Sequence, residues 1–197
     1  MKRLCAFFLW AALLLAAAAP ARAEGAAETD YMARMMECAQ NNDSAGGLEA
    51  QRARDEKIAA LGLPYRSIDF EELWLLSKII YAEAGCAWLG QDWRMAVGEV
   101  VLNRMASPEF PDTMREVLEQ PGQYYGKNSA YFERLRPSAE SVEAALRLLE
   151  GERVLSEPAV VFQSNYRLGG GVYLELRDRA LGSTYLCLSS HPELYRT

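Results

Sequence analysis

The residue best suited to chemistry is Glu83, which lies where an apolar helix is predicted to end. Leu76, Ile80 and Glu83 follow the three-and-four spacing that places side chains on one helical face. We therefore expect Glu83 to share a face with buried side chains, where its carboxylate is poorly hydrated. Gly85 is predicted to stop the helix, so the negative end of the helix dipole would also disfavour ionisation. Glycoside cleavage commonly uses such a protonated carboxylic acid.

The same spacing leaves a second interpretation of Glu83 open. Glutamate is a good helix former, and a small rotation of the helix would turn this side chain to solvent as an ordinary surface residue. Helix geometry alone favours that interpretation. The blocks of sequence that follow Glu83 in the chain decide in favour of the functional one.

The elements that must position Glu83 are predicted to be helices followed by strands. Asp69, with Glu72 three residues later, marks the start of the first core helix, and a nearly all-apolar helix covers roughly 92–105. Thr113 opens a short third helix, and a fourth starts after Ser138. Extended patterns follow Gly151, at 160–162, 172–176 and 185–188. This order predicts an α+β fold, mainly helical, with a small antiparallel sheet in the C-terminal part.

Residues 1–23 are predicted to be a secretory signal peptide. Two basic residues precede an apolar run over 4–19, and Ala21-Arg22-Ala23 is a small-x-small cleavage site. We expect the mature chain to begin at Glu24 and to be secreted into the cell wall or periplasm, without a stable membrane anchor. The polar stretch 24–67 is predicted to be an extension with partial helix, and 68–197 the catalytic domain.

Composition excludes several classes of function. The net charge of -6 and the lack of a basic stripe argue against a nucleic-acid partner. A zinc amidase needs several metal ligands, usually including histidines, and His191 is the only histidine in the chain. His191 lies four residues from Cys187, which does not fit the distant pair of a cysteine peptidase. We therefore expect no metal and no cofactor.

Four separated blocks of sequence stand out: IYAEAG at 80–85, AVGEVVLNR at 96–104, SPEFPDT at 107–113 and QPGQY at 120–124. In this order and spacing they resemble the SleB-type cell wall hydrolase family, which includes the spore cortex-lytic enzymes. The likeness runs from about Glu71 to Cys187, and the tail resembles a strand-rich branch of the family. Two departures are Cys86-Ala87-Trp88-Leu89, in place of a more polar turn, and Glu99, in place of a smaller residue.

The resemblance implies a lysozyme-like fold that cleaves the glycan strands of peptidoglycan between N-acetylmuramic acid and N-acetylglucosamine, often as a lytic transglycosylase. The catalytic glutamate of the family falls on Glu83. The matched range holds no second carboxylate at a family position, although Asp92, Glu99 and Asp112 lie near in sequence. We therefore predict transglycosylation by a monomer, with a muramidase-type hydrolase or a noncatalytic peptidoglycan-binding protein as the alternatives.

Five further residues are candidates for substrate binding, each by residue type. Gln123 and Tyr124 offer an amide and an aromatic face on a Pro-Gly turn, although such a turn forms whatever follows it. Asn103 could bond an acetamido group or cap its helix. For Tyr81 and Gln163 a structural role is the stronger interpretation.

Three cysteines remain after signal removal, which allows one disulfide and one leftover thiol. Cys86 follows the helix that carries Glu83, and Cys187 lies in the last predicted strand, whereas Cys38 lies in the extension. We predict a Cys86–Cys187 disulfide.

Overall fold

The computed structural model describes residues 30–62, 68–124 and 130–195. Within these ranges the chain forms helices first and a three-stranded antiparallel sheet afterwards, which confirms the α+β prediction. None of the described helices is long and apolar enough to span a membrane. The elements are α1 (30–41), α2 (Ser44–Leu61), α3 (Phe70–Ala84), α4 (Gln91–Met105), α5 (Met114–Glu119), α6 (Ala130–Arg134), α7 (Ala139–Leu149), β1 (Val160–Ser164), β2 (Val172–Asp178), β3 (Gly182–Leu188) and a 3-10 helix (Pro192–Tyr195).

Side-chain caps fix the starts of three core helices where the sequence predicts them. The Asp69 carboxylate accepts from the backbone N–H of Glu72 at 3.0 Å, so α3 begins at Phe70. Thr113 and Ser138 cap α5 and α7 in the same way. Helix α6 was not predicted, because a five-residue helix with one buried side chain, Phe132, is too short to show a periodic pattern.

Helix α3 lies at the centre of the helical layer, in contact with α2, α4, α5 and α7. Leu76 and Ile80 are 0 % exposed, as the apolar stripe predicts. A Cβ atom on Gly98 would lie 2.6 Å from Leu148 Cδ1 and 2.7 Å from Ile80 Cδ1. Any larger residue would require the Leu148 and Ile80 side chains to shift, so glycine favours the close approach of α3, α4 and α7.

The N-terminal segment differs from the predicted extension with partial helix. Residues 30–41 and 44–61 are helical, and Met35, Cys38 and Ala50 belong to the same buried cluster as α3. The break between the two helices falls at Asn42, whose φ of 58° is left-handed. The segment packs on the core because its buried side chains, although sparse, lie on the face that meets α3.

A buried lysine joins this segment to α3 and α6. The Lys78 ammonium donates to Asn42 Oδ1 and to the Glu133 carbonyl, both at 3.0 Å. It also lies 4.5 Å from the ring centroid of Trp74 and 4.9 Å from that of Phe132. Desolvation lowers the pKa of Lys78 to about 8, although the Glu133 carboxylate opposes this change.

The sheet has the order β1-β3-β2, so the last strand in sequence is the central one. Both pairings are antiparallel, with Gln163 opposite Leu186 and Glu175 opposite Tyr185. One face packs on α4, where Val100 shares a buried cluster with Val160 and Leu186.

A buried carboxylate anchors the segment that leads into the sheet. Glu99 on α4 is 2 % exposed. Its Oε2 atom accepts from the backbone N–H groups of Val154 at 2.7 Å and Leu155 at 3.0 Å. Glu99 stands where a smaller residue was expected from the family resemblance, but it does not loosen the packing. Its carboxylate is buried with hydrogen bonds from two backbone N–H groups.

Candidate active site

Glu83 lies in the last turn of α3, one residue before the helix ends. Its side chain is exposed, so the prediction of burial is wrong. The predicted direction of its pKa is confirmed, because desolvation by the surrounding protein raises the pKa of the carboxyl above its ordinary value of 4.5. The carboxyl is therefore accessible to a ligand from solvent, while the neighbouring protein atoms make its ionisation less favourable.

Tyr81 and Gly85 shape the helix end beside Glu83. The Tyr81 side chain is half-buried and packs against the main core cluster. A Cβ atom on Gly85 would lie 2.8 Å from Cδ2 of the Tyr81 ring. Glycine is therefore needed at the end of α3, and Tyr81 has the structural role that its residue type suggests.

The loop after Glu83 is held by a residue that sequence reasoning missed. Arg94 on α4 is buried, and its guanidinium donates to the carbonyl of Leu89 at 2.6 Å and to that of Cys86 at 3.0 Å. Two charge-assisted hydrogen bonds to one short loop fix its path. The backbone that follows Glu83 is therefore rigidly connected to α4.

The turn at 120–124 brings Tyr124 to the same region as Glu83. The Gln123 N–H donates to the Gln120 carbonyl at 3.2 Å, and Gly122 has a φ of 76°, as the predicted Pro-Gly turn requires. Burial raises the pKa of Tyr124; the Arg104 guanidinium opposes this rise, and the Glu83 carboxylate adds to it. The Arg104 cation and the Glu83 carboxylate therefore act on the pKa of the Tyr124 hydroxyl in opposite directions.

Tyr124 also has a strained backbone. Its φ of 42° lies in the left-handed region, which costs a residue with a Cβ about 1 kcal/mol. Strain of this kind persists only where the surrounding contacts enforce it, and such positions cluster at functional sites. Gln123, next to it, is half-buried.

Arg104 at the end of α4 is the main residue of this region that sequence reasoning left without a role. It is 3 % exposed, and its Nε donates to the Val161 carbonyl at 2.6 Å. Its guanidinium carbon lies 5.1 Å from the ring centroids of both Phe110 and Tyr124, and 5.8 Å from that of Phe162. The sequence could have pointed to Arg104, because this residue ends the AVGEVVLNR block. It was not predicted as a site residue, because an arginine on a helix is usually exposed at the surface.

The other two candidates for substrate binding contact the sheet or lie in it. The Asn103 amide donates to the Val160 carbonyl at 3.1 Å, and its side chain is buried. Asn103 therefore links α4 to β1 instead of capping its helix. Gln163 lies in β1, half-exposed, next to the Phe162 ring that contacts Arg104.

The three acidic residues weighed as a second carboxylate differ in their accessibility. Glu99 is buried and occupied by two backbone N–H groups. Asp92 and Asp112 are exposed. Within the described ranges no group of His, Cys, Asp or Glu side chains could hold a metal ion.

The predicted Cys86–Cys187 disulfide is not formed in the structure. Cys86, Cys187 and Cys38 are all free thiols. Cys86 packs beside Leu89 and Val97, whereas Cys187 is buried in the central strand of the sheet. The two thiols belong to different packed regions, which membership of one domain does not reveal.

Comparison with known proteins gives one match. Residues 90–170 match the family model described as Cell Wall Hydrolase, a range that includes Asn103, Tyr124 and Gln163. Glu83 lies before this range. No curated protein and no solved structure matches the chain. Over residues 90–170 this chain is therefore similar to cell wall hydrolases, enzymes that act on the cell wall.

Proposed function

We propose that this protein cleaves the glycan strands of peptidoglycan between N-acetylmuramic acid and N-acetylglucosamine, outside the cytoplasm, as a lytic transglycosylase. The observation that carries the proposal is Glu83, an accessible carboxyl whose pKa is raised by desolvation and whose charge acts on the Tyr124 hydroxyl. The match of residues 90–170 to cell wall hydrolases supports the substrate.

One carboxyl can serve both halves of this reaction. Protonated Glu83 donates its proton to the glycosidic oxygen, so the bond from that oxygen to C1 of the muramic acid breaks and the leaving sugar keeps a hydroxyl. The Glu83 carboxylate then takes the proton from the C6 hydroxyl of the same muramic acid as that oxygen bonds to C1. The product is a 1,6-anhydro ring, and the acid is regenerated.

A hydrolase is the second candidate for the same bond. Hydrolysis needs a water molecule activated by a base, commonly a second carboxylate. Of the carboxylates considered, Glu99 is unavailable because backbone N–H groups occupy it. Asp92 remains as an exposed candidate on α4.

The test is the variant Glu83→Gln, assayed on purified peptidoglycan with products identified by mass spectrometry. Glutamine keeps the shape and removes the transferable proton, so cleavage should fall by about 10²–10⁴-fold or more while binding to peptidoglycan is retained. Glu72→Gln is the matched control, because desolvation also raises the pKa of Glu72 at the opposite end of α3.

Products distinguish the candidates. Anhydromuramic ends support transglycosylation, whereas reducing muramic ends, with activity lost in Asp92→Asn, identify a hydrolase. Binding without products from the wild type would indicate a noncatalytic protein, and full activity in Glu83→Gln would refute the assignment of the acid.

A further inference from the structure

We infer that Arg104 is a positioning residue, which holds the Tyr124 ring so that its hydroxyl can interact with Glu83. The inference rests on the proposed function, because the positioning of Tyr124 serves catalysis only if Glu83 is the acid. Its physical basis is the set of contacts that one guanidinium makes with three separate segments of the chain.

The first contact fixes the guanidinium itself. Arg104 Nε donates to the Val161 carbonyl at 2.6 Å, and the side chain is 3 % exposed. This bond joins the end of α4 to β1 across 57 positions of sequence. Because a buried cation with such a bond cannot move without losing it, the guanidinium is a fixed point for what packs on it.

Aromatic rings surround the rest of the cation. Phe110, Tyr124 and Phe162 place their ring centroids within 5.1–5.8 Å of the guanidinium carbon. The rings of Phe110 and Phe162 meet edge to face at 6.2 Å. Arg104 Nη1 has no hydrogen-bond partner among the described residues, so the ring faces supply much of what stabilises this charge.

Tyr124 needs such an anchor more than its neighbours do. Its φ of 42° is unfavourable for a residue with a Cβ, so external contacts must hold it there. Arg104 and Glu83 act on the Tyr124 hydroxyl with opposite sign. Burial keeps this hydroxyl protonated, and it can therefore donate a hydrogen bond toward the carboxylate or the substrate.

A double-mutant cycle tests whether Arg104 acts through that hydroxyl. Arg104→Met should lower kcat by about 10–100-fold with little change in KM, because a small displacement in an active site has effects of this size. In the Tyr124→Phe background the same change should cost less than about 2-fold, since the hydroxyl is already gone. Arg104→Lys, which keeps the charge and loses the planar fork, should recover only part of the rate.

Arg94→Met is the matched control, because Arg94 is a second buried arginine of α4 that bonds two backbone carbonyls. The loss of kcat caused by Arg94→Met should be equal in the wild-type and Tyr124→Phe backgrounds. The same equal loss for Arg104→Met would overturn the inference and make Arg104 a purely structural residue.

A readout without turnover separates this inference from the proposed function. In protein labelled with ¹³C-tyrosine, the Tyr124 ring signal is assigned by its loss in Tyr124→Phe. We expect this signal to shift in Arg104→Met and less in Arg104→Lys. An unchanged signal refutes the inference even if the wild type cleaves glycan, and a shifted signal supports it even if no product forms.

Discussion

Glu99 provides the sharpest test of how the helical layer holds the sheet. Replacing it with alanine removes the acceptor of two backbone N–H groups, whereas glutamine can present one oxygen to both. We therefore expect Glu99→Ala to be much more destabilising than Glu99→Gln.

The magnitude follows from the exposure of the two donors. Leu155 is 7 % exposed, so its orphaned N–H group costs about 1–3 kcal/mol. Val154 is 38 % exposed, and its N–H group can return to water at little cost. The one lost methylene group adds roughly 0.8 kcal/mol, and release of the buried charge offsets part of the sum. The expected loss is about 1.5–3.5 kcal/mol for Glu99→Ala and about 0.5–1.5 kcal/mol for Glu99→Gln.

Urea unfolding followed by circular dichroism at neutral pH measures both variants, with the shift in midpoint read at constant m-value. Glu143→Ala, at an exposed position of α7, is the control and should stay within about 0.5 kcal/mol of the wild type. A loss below about 1 kcal/mol in Glu99→Ala, or equal losses in the two Glu99 variants, would contradict the proposed anchoring.

Two predictions concern pH. Desolvation lowers the pKa of Lys78 from 10.5 to about 8, so between these pH values the unfolded chain binds more protons at this residue than the folded chain does. The free energy of unfolding should therefore rise with pH across this window, by up to about 3 kcal/mol relative to Lys78→Met. Urea midpoints of the wild type and of Lys78→Met measure this difference in free energy of unfolding. A difference that stays flat or falls as pH rises contradicts the burial of Lys78. Because desolvation raises the pKa of Glu83 above 4.5 and the acid must be protonated, kcat/KM should fall as pH rises through the raised value; a rate that increases there would exclude Glu83 as the acid.

Local signals made the core helices and strands predictable. Asp69 and Thr113 cap helices through bonds to residues three positions away, and such spacings can be read directly from sequence. The packing of α1 and α2 was not predictable, because this part of the chain is rich in Ala, Glu, Gln, Asn and Arg and shows no clear apolar period.

The site was predictable only in part, for the same physical reason. Glu83 and the Tyr124 turn can be found from blocks of sequence, and in the structure the Glu83 carboxylate acts on the pKa of Tyr124. The burial of Glu83 could not be judged, because exposure at a helix end depends on what packs there. The roles of Arg104 and Asn103 depend on carbonyl groups 57 positions away, which no local pattern encodes.

The central position of β3 has a consequence for when the site can form. β1 precedes its hydrogen-bonding neighbour by some twenty residues, so during synthesis it is an unpaired edge until 182–188 are available. Val161, which holds the Arg104 guanidinium, lies on that edge. Since contacts distant in sequence form late, the helical layer can fold before the guanidinium is fixed. A partly synthesised or truncated chain would therefore carry Glu83 on a folded helix without an ordered candidate site around it.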